Sequence, residues 1–377
     1  MAFKVPVNEN NELLESPITP TSSRGDLIRQ TSLIIWDEAP MANRAVLHCV
    51  EDVCRHVMDS ILPFGGKAIV LLGDFRQTCP VIPYGSKAQV VAASIKSSPL
   101  WPLFTIARLN TPIRTAADPE YANALDAVGD GGDCTPATSC LHSVLTDEDL
   151  IQFVFPPDLL KYPHLCARRS ILAPTNRQID AYNANIISRI EGSSRTYLAA
   201  DSLMEIEDAG LESPDAILDF VAHRTIPGLP PHTLSVKVGG VYRLMRNFSL
   251  DRGLVKNVRA VVVGVGTRLI TIRLLRDNRV EDINDILIPR ITFTHTLQSK
   301  HTLHRRQFPL APAYATTFNS CQGLTLDKVG VDVTRPVFSH GQLYTALSRV
   351  RHRSDGCILF ASGSNTTVNV TYEEILL

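Results

Sequence analysis

Two adjacent carboxylates follow a short apolar run and could do metal chemistry. The run SLIIW (residues 32–36) is mostly apolar and partly β-branched, which is typical of a strand buried on both faces of a parallel sheet. Functional groups gather at the carboxyl ends of such strands, so Asp37 could hold Mg²⁺ and Glu38 could orient and deprotonate a water. The alternative is two surface acids at the start of a helix, where they would complement the helix dipole.

A second strand end carries another polar group. KAIVLLG (67–73) has the same buried-strand character and is followed by Asp74 to Gln77. Gln77 could reach a terminal phosphate, although a simple polar turn would give the same pattern. The two strand ends together predict a site more specifically than either alone, because both would face one crevice of a parallel sheet.

The elements that must position these residues have an α/β pattern. Valines at helical spacing predict a helix between the two strands, whereas residues 1–30 have no strong element and residues 115–165 are loosely patterned. RRSILAPT (168–175) predicts another core strand, and Asn176 caps a helix. The residues expected to share one face of that helix are Ile179, Tyr182, Ile186 and Ile190.

The pattern changes after Pro230 and then returns. Apolar residues alternate with polar ones between about 225 and 300, which predicts short antiparallel strands in a small barrel or sandwich. KVGVDV (328–333) and CILFA (357–361) then predict core strands, and an amphipathic helix is expected over 339–350 with Leu343, Leu347 and Val350 inward. Residues 200–220 are acidic and are expected to form a connector.

Composition limits the class of protein. No apolar run is long enough to cross a bilayer, and no signal peptide is visible. The eight cysteines have no zinc-knuckle spacing and are expected to be reduced thiols. The cluster of His295, His301 and His304 could bind a metal, or the three could be ordinary surface histidines.

The net charge of −1 conceals an uneven distribution. Residues 223–360 carry 20 Lys+Arg against 8 Asp+Glu, a charge of +12. Such an asymmetry is expected where one part of a chain touches a polyanion. A solvated basic surface explains the charge equally well.

Several segments resemble, in order, the motifs of Pif-type DNA helicases of superfamily one. The Asp-Glu-Ala-Pro variant at residues 37–40 is more similar to the helicases of Helitron transposons than to their cellular relatives. The matching segments are LIIWDEAPM (33–41, motif II), residues 64–82 (motif III), LNTPIR (109–114, motif IV), residues 172–183 (opening of the second motor core), residues 229–260 (β insert), AYATTFNSCQGLTL (313–326, motif V) and FSHGQLYTALSRV (338–350, motif VI).

The resemblance implies an α/β fold with two RecA-like parallel-sheet motor domains and a small β-barrel insert in the second. It implies ATP and Mg²⁺ as cofactors and 5′→3′ DNA unwinding as the activity. The expected domains are 1–114 (an incomplete first RecA-like domain), 115–165 (connector), 166–224 (start of the second RecA-like domain), 225–300 (β-barrel insert) and 301–377 (remainder of the second domain).

The resemblance also assigns catalytic roles. Asp37, Glu38 and Gln77 would come from the first domain, with Asp37 on the metal. Arg114 and Arg349 would reach the γ-phosphate, Arg349 from the second domain, and such arginines contribute about 10³–10⁵ in rate when they stabilise transferring phosphoryl charge. Gln322 and Gly323 of motif V would couple the state of the nucleotide to the DNA track.

Single-stranded DNA and duplex junctions are the implied partners, and no membrane is expected. Basic side chains would contact phosphates and aromatic rings would stack on bases. A monomer is favoured, and residence in the nucleus follows only from the substrate. The expected DNA-binding residues are Thr317, Gln322, Lys237, Arg243, Arg246 and Arg259.

One part of the family pattern is missing. No G-x-x-x-x-G-K-[ST] phosphate loop occurs, and the near match Phe64-Gly65-Gly66-Lys67 precedes a strand instead of following one. We therefore expect an N-terminally cut chain with an unpaired edge at its second strand and poor ATP hydrolysis. A truncated helicase motor and a non-catalytic DNA-binding remnant of a Helitron helicase remain the competing hypotheses, and an unrelated NTPase is improbable.

Overall fold

The computed structural model describes residues 2–6, 14–83, 85–204, 214–224, 226, 228–275, 285–297, 299 and 301–377. Residues 205–213 of the expected acidic connector lie outside the described residues. None of the described helices is long and apolar enough to span a membrane.

Helices and strands alternate in the first third of the chain, and strands dominate the middle. The α-helices are α1 (Ser23–Gln30), α2 (Arg44–Met58), α3 (Lys87–Ala93), α4 (Pro119–Gly129), α5 (Thr135–Ser139), α6 (Asp147–Val154), α7 (Pro157–Leu160), α8 (Pro163–Cys166), α9 (Asn176–Arg189), α10 (Pro214–Ala222) and α11 (Gln342–Leu347). The strands are β1 (Leu33–Trp36), β2 (Ala68–Leu71), β3 (His142–Val144), β4 (Arg169–Ala173), β5 (Ser194–Leu198), β6 (Ala200–Met204), β7 (Thr233–Lys237), β8 (Val241–Leu244), β9 (Arg259–Val265), β10 (Leu269–Leu274), β11 (Ile286–Pro289), β12 (Ile291–Thr296), β13 (Thr302–Gln307), β14 (Leu310–Pro312), β15 (Ala315–Thr317), β16 (Lys328–Val333) and β17 (Gly356–Phe360).

Internal contacts divide the chain into two compact units. The first unit contains Met1–Cys140, Pro336–His352 and Ser364–Leu377. The second contains Leu141–Arg335 and Arg353–Gly363. The division differs from the expected domains in two respects. Pro336–His352, which holds motif VI, and Ser364–Leu377 group with the first unit, although the sequence predicts residues 301–377 in the second domain. The expected connector 115–165 is divided between the two units after Cys140.

The first unit is built on the parallel pair β1 and β2. Leu33 pairs with Ala68 and Trp36 with Leu71. The predicted helix is α2, and Val50, Val53 and Val57 are buried on it. Asn43 caps α2 by accepting a hydrogen bond from the N–H of Ala45 at 2.9 Å.

The expectation that β1 and β2 are buried on both faces is wrong for the described residues. Burial alternates along both strands. Ile34 and Ile69 pack toward the core, while Ile35 is 61% and Val70 42% exposed. The sheet has two strands in the described part of the chain, and the exposure of Ile35 and Val70 shows that no described layer covers the face on which they lie.

Two helices also differ from expectation. Residues 1–30 contain α1, which Ser22 caps by accepting from the N–H of Gly25. The amphipathic helix expected over 339–350 is shorter, and all six residues of α11 are buried. The polar residues of α11 can be buried because they bond to the first unit: Tyr344 donates to Asp74 at 2.8 Å, and Thr345 accepts from the N–H of Thr78 at 3.2 Å.

The second unit contains a five-stranded parallel sheet of order β15-β4-β16-β17-β3. The predicted strands at 168–175, 328–333 and 357–361 are its centre, and α6 and α9 pack on it. The cap of α9 is Thr175, not Asn176, because the Thr175 side chain accepts from the N–H of Gln178 at 3.4 Å. Ile179, Tyr182, Ile186 and Ile190 are buried in one cluster, as expected.

Antiparallel strands form the rest of the second unit. One sheet has five strands in the order β11-β10-β9-β8-β14, a second has the order β12-β13-β6, and β5 pairs with β7. The antiparallel region is therefore wider than residues 225–300, since β5, β6, β13 and β14 lie outside that range. Tyr242, Phe308 and Leu310 are fully buried in its core.

Candidate functional site

Asp37 and Glu38 lie in a tight turn directly after β1. Glu38 has a left-handed conformation (φ 53°, ψ 35°), and its N–H donates to Oδ1 of Asp37 at 2.9 Å. The next residue, Ala39, donates to the carbonyl of Leu72 at 2.9 Å, which ties the turn to the end of β2. Gly73 allows this approach, because a Cβ there would lie 2.2 Å from Cδ of Pro40. The turn therefore sets the two carboxyl groups at the carboxyl end of the pair of strands.

Gln77 lies in the loop after β2, as the sequence predicts. Its N–H donates to the carbonyl of Asp74 at 3.1 Å. Its side-chain Oε1 is buried and has no hydrogen-bond partner among the described residues. A buried amide oxygen without a partner is costly, so a donor from a ligand or an ordered water would fit there.

A charged network holds this loop against α11. Arg76 donates to Asp74 at 3.2 Å and to Asp126 at 2.8 Å, and its guanidinium lies 4.9 Å from the centre of the Tyr344 ring. Burial alone would lower the pKa of Arg76, but Tyr344 and the two carboxylates raise it above its usual value. Arg76 thus stays charged and links α4, the Gln77 loop and α11.

Arg114 and Arg349 lie on the same side of the first unit. Arg114 donates to the carbonyl of Ser348 at 3.0 Å, one residue before Arg349. Arg349 is only 2% exposed, and it donates to the carbonyl of Thr345 at 3.2 Å and to Oγ of Ser348 at 2.9 Å. The motif IV and motif VI arginines are therefore neighbours within the first unit.

The electrostatics of Arg114 link these arginines to Glu38. The pKa of Arg114 is lowered mainly because burial removes water from its guanidinium. The positive charges of Arg349 and Arg351 nearby lower it further. Tyr344 and the carboxylate of Glu38 act in the opposite direction. Arg114 is therefore within electrostatic reach of one acid and two other arginines, and a group with several negative charges beside it would relieve its repulsion by those arginines.

Sequence reasoning missed Arg351 and the two residues that hold the Gln77 loop, Arg76 and Tyr344. A signal for Arg351 was available, since it stands two residues after Arg349. Tyr344 gives no such signal, because the apolar spacing over 339–350 points only to Leu343, Leu347 and Val350 as the inward residues. Asp74 was noticed only as a strand-end residue, although it accepts hydrogen bonds from both Arg76 and Tyr344.

The motif V residues belong to the second unit. Thr317 ends β15, and its hydroxyl donates to Oγ of Ser320 at 3.0 Å. Gln322 is half-buried. Gly323 is exposed with φ +76°, and nothing described lies within 4 Å of where its Cβ would be. Thr317 lies at the carboxyl edge of the parallel sheet, the edge where ligands bind in such folds.

The four basic residues expected to bind DNA have different surroundings. Lys237 donates to the carbonyls of Ile187 and Ser188 at 3.3 Å, near the end of α9. Arg259 donates to three backbone carbonyls, the shortest bond being 2.7 Å to Ala167, and burial lowers its pKa to about 10. Arg243 bonds to Asn257, whereas Arg246 is exposed over the Phe293 ring at 5.1 Å. Of the four, Arg246 is the most open to solvent.

The residues fit a magnesium ion better than a zinc ion. No group of three or more His, Cys, Asp or Glu arranged to hold a metal occurs in the described part of the chain, and this applies to His295, His301 and His304. Magnesium in nucleotide sites needs only one or two carboxylates, together with phosphates and waters, and Asp37 is exposed at a strand end.

Lys67 does not take part in this site. Its ammonium group donates to the carbonyls of Arg29 and Thr31 at the end of α1. The Gly-Gly-Lys sequence therefore leads into β2, as expected.

Known proteins resemble the chain in sequence. Residues 1–135 match the PIF1-like helicase family. The ATP-dependent DNA helicase PIF1 of Homo sapiens is 28% identical over 322 residues, which is 84% of this chain and 44% of that protein. The ATP-dependent DNA helicase Pif1 of Bdellovibrio bacteriovorus is 25% identical over 327 residues, 86% of this chain and 65% of that protein. The chain thus spans less than two thirds of the length of either relative.

Solved structures resemble it in fold. Pif1 helicase from Candida albicans superposes with a TM-score of 0.62 at 22% identity, over 94% of this chain and 78% of that one. Bacteroides Pif1 bound to ssDNA gives a TM-score of 0.64 at 22% identity, over 100% and 79% of the two chains. These likenesses support an α/β fold with a parallel sheet. The sequence matches separately show that the chain is similar to the PIF1-like helicases.

Proposed function

We propose that Asp37, Glu38, Gln77, Arg114 and Arg349 form the hydrolytic part of an ATP site in a DNA helicase motor. The observation that carries the proposal is the environment of Arg114. Its guanidinium contacts the residue before Arg349 and interacts electrostatically with Glu38. An acid that can activate water and arginines that can neutralise phosphate charge therefore belong to one site.

Each residue has a role that its surroundings permit. Asp37 would hold Mg²⁺ at the strand end, and Mg²⁺ would screen the phosphate charges. Glu38, the half-buried acid, would orient the attacking water and take its proton. Gln77 would accept a donor at its unpartnered Oε1. Arg114 and Arg349, with Arg351 beside them, would stabilise the charge on the γ-phosphate as it leaves.

Hydrolysis also needs donors for the other phosphates. The sequence has no G-x-x-x-x-G-K-[ST] pattern, and Lys67 is committed to two carbonyls. We therefore expect this chain alone to bind the γ-phosphate but to hydrolyse ATP poorly. In this proposal the first RecA-like domain is incomplete, and the antiparallel sheets are the barrel insert of the second domain.

DNA is the proposed polymer substrate. The charge of +12 over residues 223–360 supports a polyanion partner, and the human relative is named a DNA helicase. Thr317, Gln322 and the exposed Arg246 are the best-placed contacts, while Lys237, Arg243 and Arg259 are less available. We propose single-stranded DNA and duplex junctions as partners and 5′→3′ movement. A non-catalytic Helitron remnant that binds DNA weakly is the second candidate, favoured by the missing phosphate loop.

The proposal can be tested by nucleotide binding without hydrolysis. Isothermal titration of the chain with Mg²⁺-ATP and with Mg²⁺-ADP gives two dissociation constants. We expect ATP to bind about tenfold more tightly, because charge-assisted hydrogen bonds from the two arginines to the γ-phosphate act together and contribute about that factor. Arg349→Gln and Arg114→Gln should each remove most of the difference.

Arg306→Gln is the matched control, since it removes an exposed arginine of the second unit that has no role in the proposed site, and it should leave both constants unchanged. Equal affinity for ATP and ADP in the unmodified chain, or a preference for ATP that survives both site substitutions, would rule out the proposed γ-phosphate contacts. Binding of single-stranded DNA without any preference for ATP over ADP would favour the remnant.

A further inference from the structure

The C-terminal tail (residues 364–377) packs on the first unit and bonds directly to the start of the motif VI segment. The carbonyl of Val370 accepts a hydrogen bond from the N–H of Gly341 at 3.0 Å. The N–H of Tyr372 donates to Nδ1 of His340 at 2.8 Å, and the two rings stack with centres 5.4 Å apart. The tail therefore binds both residues that precede α11.

His340 also contacts the loop that carries Gln77. It is fully buried, and its Nε2 lies 2.8 Å from the carbonyl oxygen of Phe75. Since Nδ1 must accept from Tyr372, Nε2 carries the proton and donates to Phe75. Burial lowers the pKa of His340, which favours this neutral form. One imidazole thus bridges the tail and the Gln77 loop.

Gly341 brings the backbone of the motif VI segment against Gln77 itself. It has φ +69°, and a Cβ there would lie 2.5 Å from the carbonyl oxygen of Arg76 and 2.6 Å from the carbonyl carbon of Gln77. Any other residue would push the two segments apart. A small shift of His340 or Gly341 therefore displaces the Gln77 loop.

The tail is anchored well enough to act as a support. Ile375 is 1% exposed within the core of the first unit. Asn369 donates to the carbonyl of Val128 at 2.8 Å, and Glu374 pairs with Lys87 at 2.9 Å. The tail is fixed to α4 at one end and to α3 at the other, with Tyr372 between them.

We propose that Tyr372 and His340 are positioning residues, through which the C-terminal tail holds the Gln77 loop and the Arg349 segment in one arrangement. This inference rests on the proposed function for its catalytic meaning. Its structural content does not depend on that function, because it concerns three backbone N–H groups of the loop that donate hydrogen bonds within the first unit. The backbone N–H of Arg76 donates to Oδ1 of Asp74 at 3.0 Å, and the N–H of Gln77 donates to the carbonyl of Asp74. The N–H of Thr78 donates to the hydroxyl oxygen of Thr345.

Hydrogen exchange read by mass spectrometry on the 377-residue chain tests the inference. His340→Ala should raise exchange of the peptide that contains residues 74–78 about tenfold, because both imidazole bonds are lost. His340→Gln can donate and accept, and should restore part of the protection. Peptides from α2 should exchange as in the unmodified chain.

Tyr372 supplies a second, milder pair of variants. Tyr372→Pro removes the N–H that donates to His340 and should raise exchange in residues 74–78 and 338–349. Tyr372→Phe keeps the N–H and the ring and should behave as the unmodified chain. Unchanged exchange of residues 74–78 in both His340→Ala and Tyr372→Pro would overturn the inference.

Nucleotide titration separates this inference from the proposed function. If both hold, Tyr372→Pro reduces the preference for ATP over ADP, whereas Tyr372→Phe does not. If the unmodified chain shows no preference for ATP but the exchange results are as expected, the proposed function fails and the tail still positions the loop.

Discussion

Several arginines in the described part of the chain donate hydrogen bonds to backbone carbonyls. Arg349 bonds to the carbonyl of Thr345, and Arg259 bonds to three carbonyls. Arg305 is fully buried and donates to the carbonyls of Pro230 and Val221 as well as to Asp201. The positive charge of residues 223–360 thus includes the guanidinium of Arg305, which no polyanion can reach.

Arg305→Leu should destabilise the second unit by about 3–5 kcal/mol, since among the described residues it leaves the buried Asp201 carboxylate with His232 as its remaining ion-pair partner. Urea unfolding monitored by circular dichroism measures the loss. Arg306→Leu is the control, because Arg306 is the next residue of β13 and is exposed. Equal stabilities of the two variants would mean that the buried pair contributes nothing.

The same pair predicts a pH dependence. Burial alone would raise the pKa of Asp201, but Arg305 and His232 hold it below its ordinary value of 3.8. A carboxyl whose pKa is lowered on folding stabilises the fold at pH values above its ordinary pKa. The contribution is lost as the pH falls from the ordinary pKa through the lowered one. The difference in stability between the unmodified chain and Arg305→Leu should therefore shrink below about pH 4.

At the scale of elements, β1 and β2 differ most from expectation. Their apolar runs correctly predict strands, but burial depends on which layers cover a sheet, and a run of apolar residues does not report that. Ile35 and Val70 face away from the core of the first unit, where no described layer covers them. A flat apolar surface of this kind promotes association between chains.

The double variant Ile35→Thr/Val70→Thr should lower light scattering and dye binding by the purified chain, and it should change stability by less than about 1 kcal/mol. Ile34→Thr is the matched control, because Ile34 packs against the core. It should cost about 1–3 kcal/mol of stability and leave scattering no lower. Unchanged scattering in the double variant would show that this face does not cause association.

Long-range contacts explain most of what the sequence could not predict about elements. The strands of the parallel sheet and α9 were recognisable because their apolar spacing is regular over several residues. Helix α11 is shorter than expected and buried all round, since Tyr344 and Thr345 bond to residues almost 270 positions away. Helix α1 was missed because it buries little apolar surface, with Ile28 as its buried apolar side chain.

At the scale of the whole molecule, the sequence indicates which segments form the site better than it indicates which segments form each compact unit. The strand ends at Asp37 and Gln77 could be predicted from the sequence, and the order of segments from 33–41 to 338–350 resembles that of the Pif-type helicases. The division into two units could not be predicted, because the sequence of residues 338–350 contains no pattern that indicates packing with the first unit. Thr317, Gln322 and Gly323 belong to the other unit, so coupling of nucleotide to DNA remains a proposal.

A crystal structure of the chain grown with Mg²⁺, ADP and beryllium fluoride tests the central claim most directly. Beryllium fluoride imitates the γ-phosphate, and we predict that it lies within hydrogen-bond distance of both Arg114 and Arg349, with Glu38 facing it through a water. The claim is contradicted if Glu38 and Arg349 line separate cavities, or if the fluoride binds elsewhere on the chain.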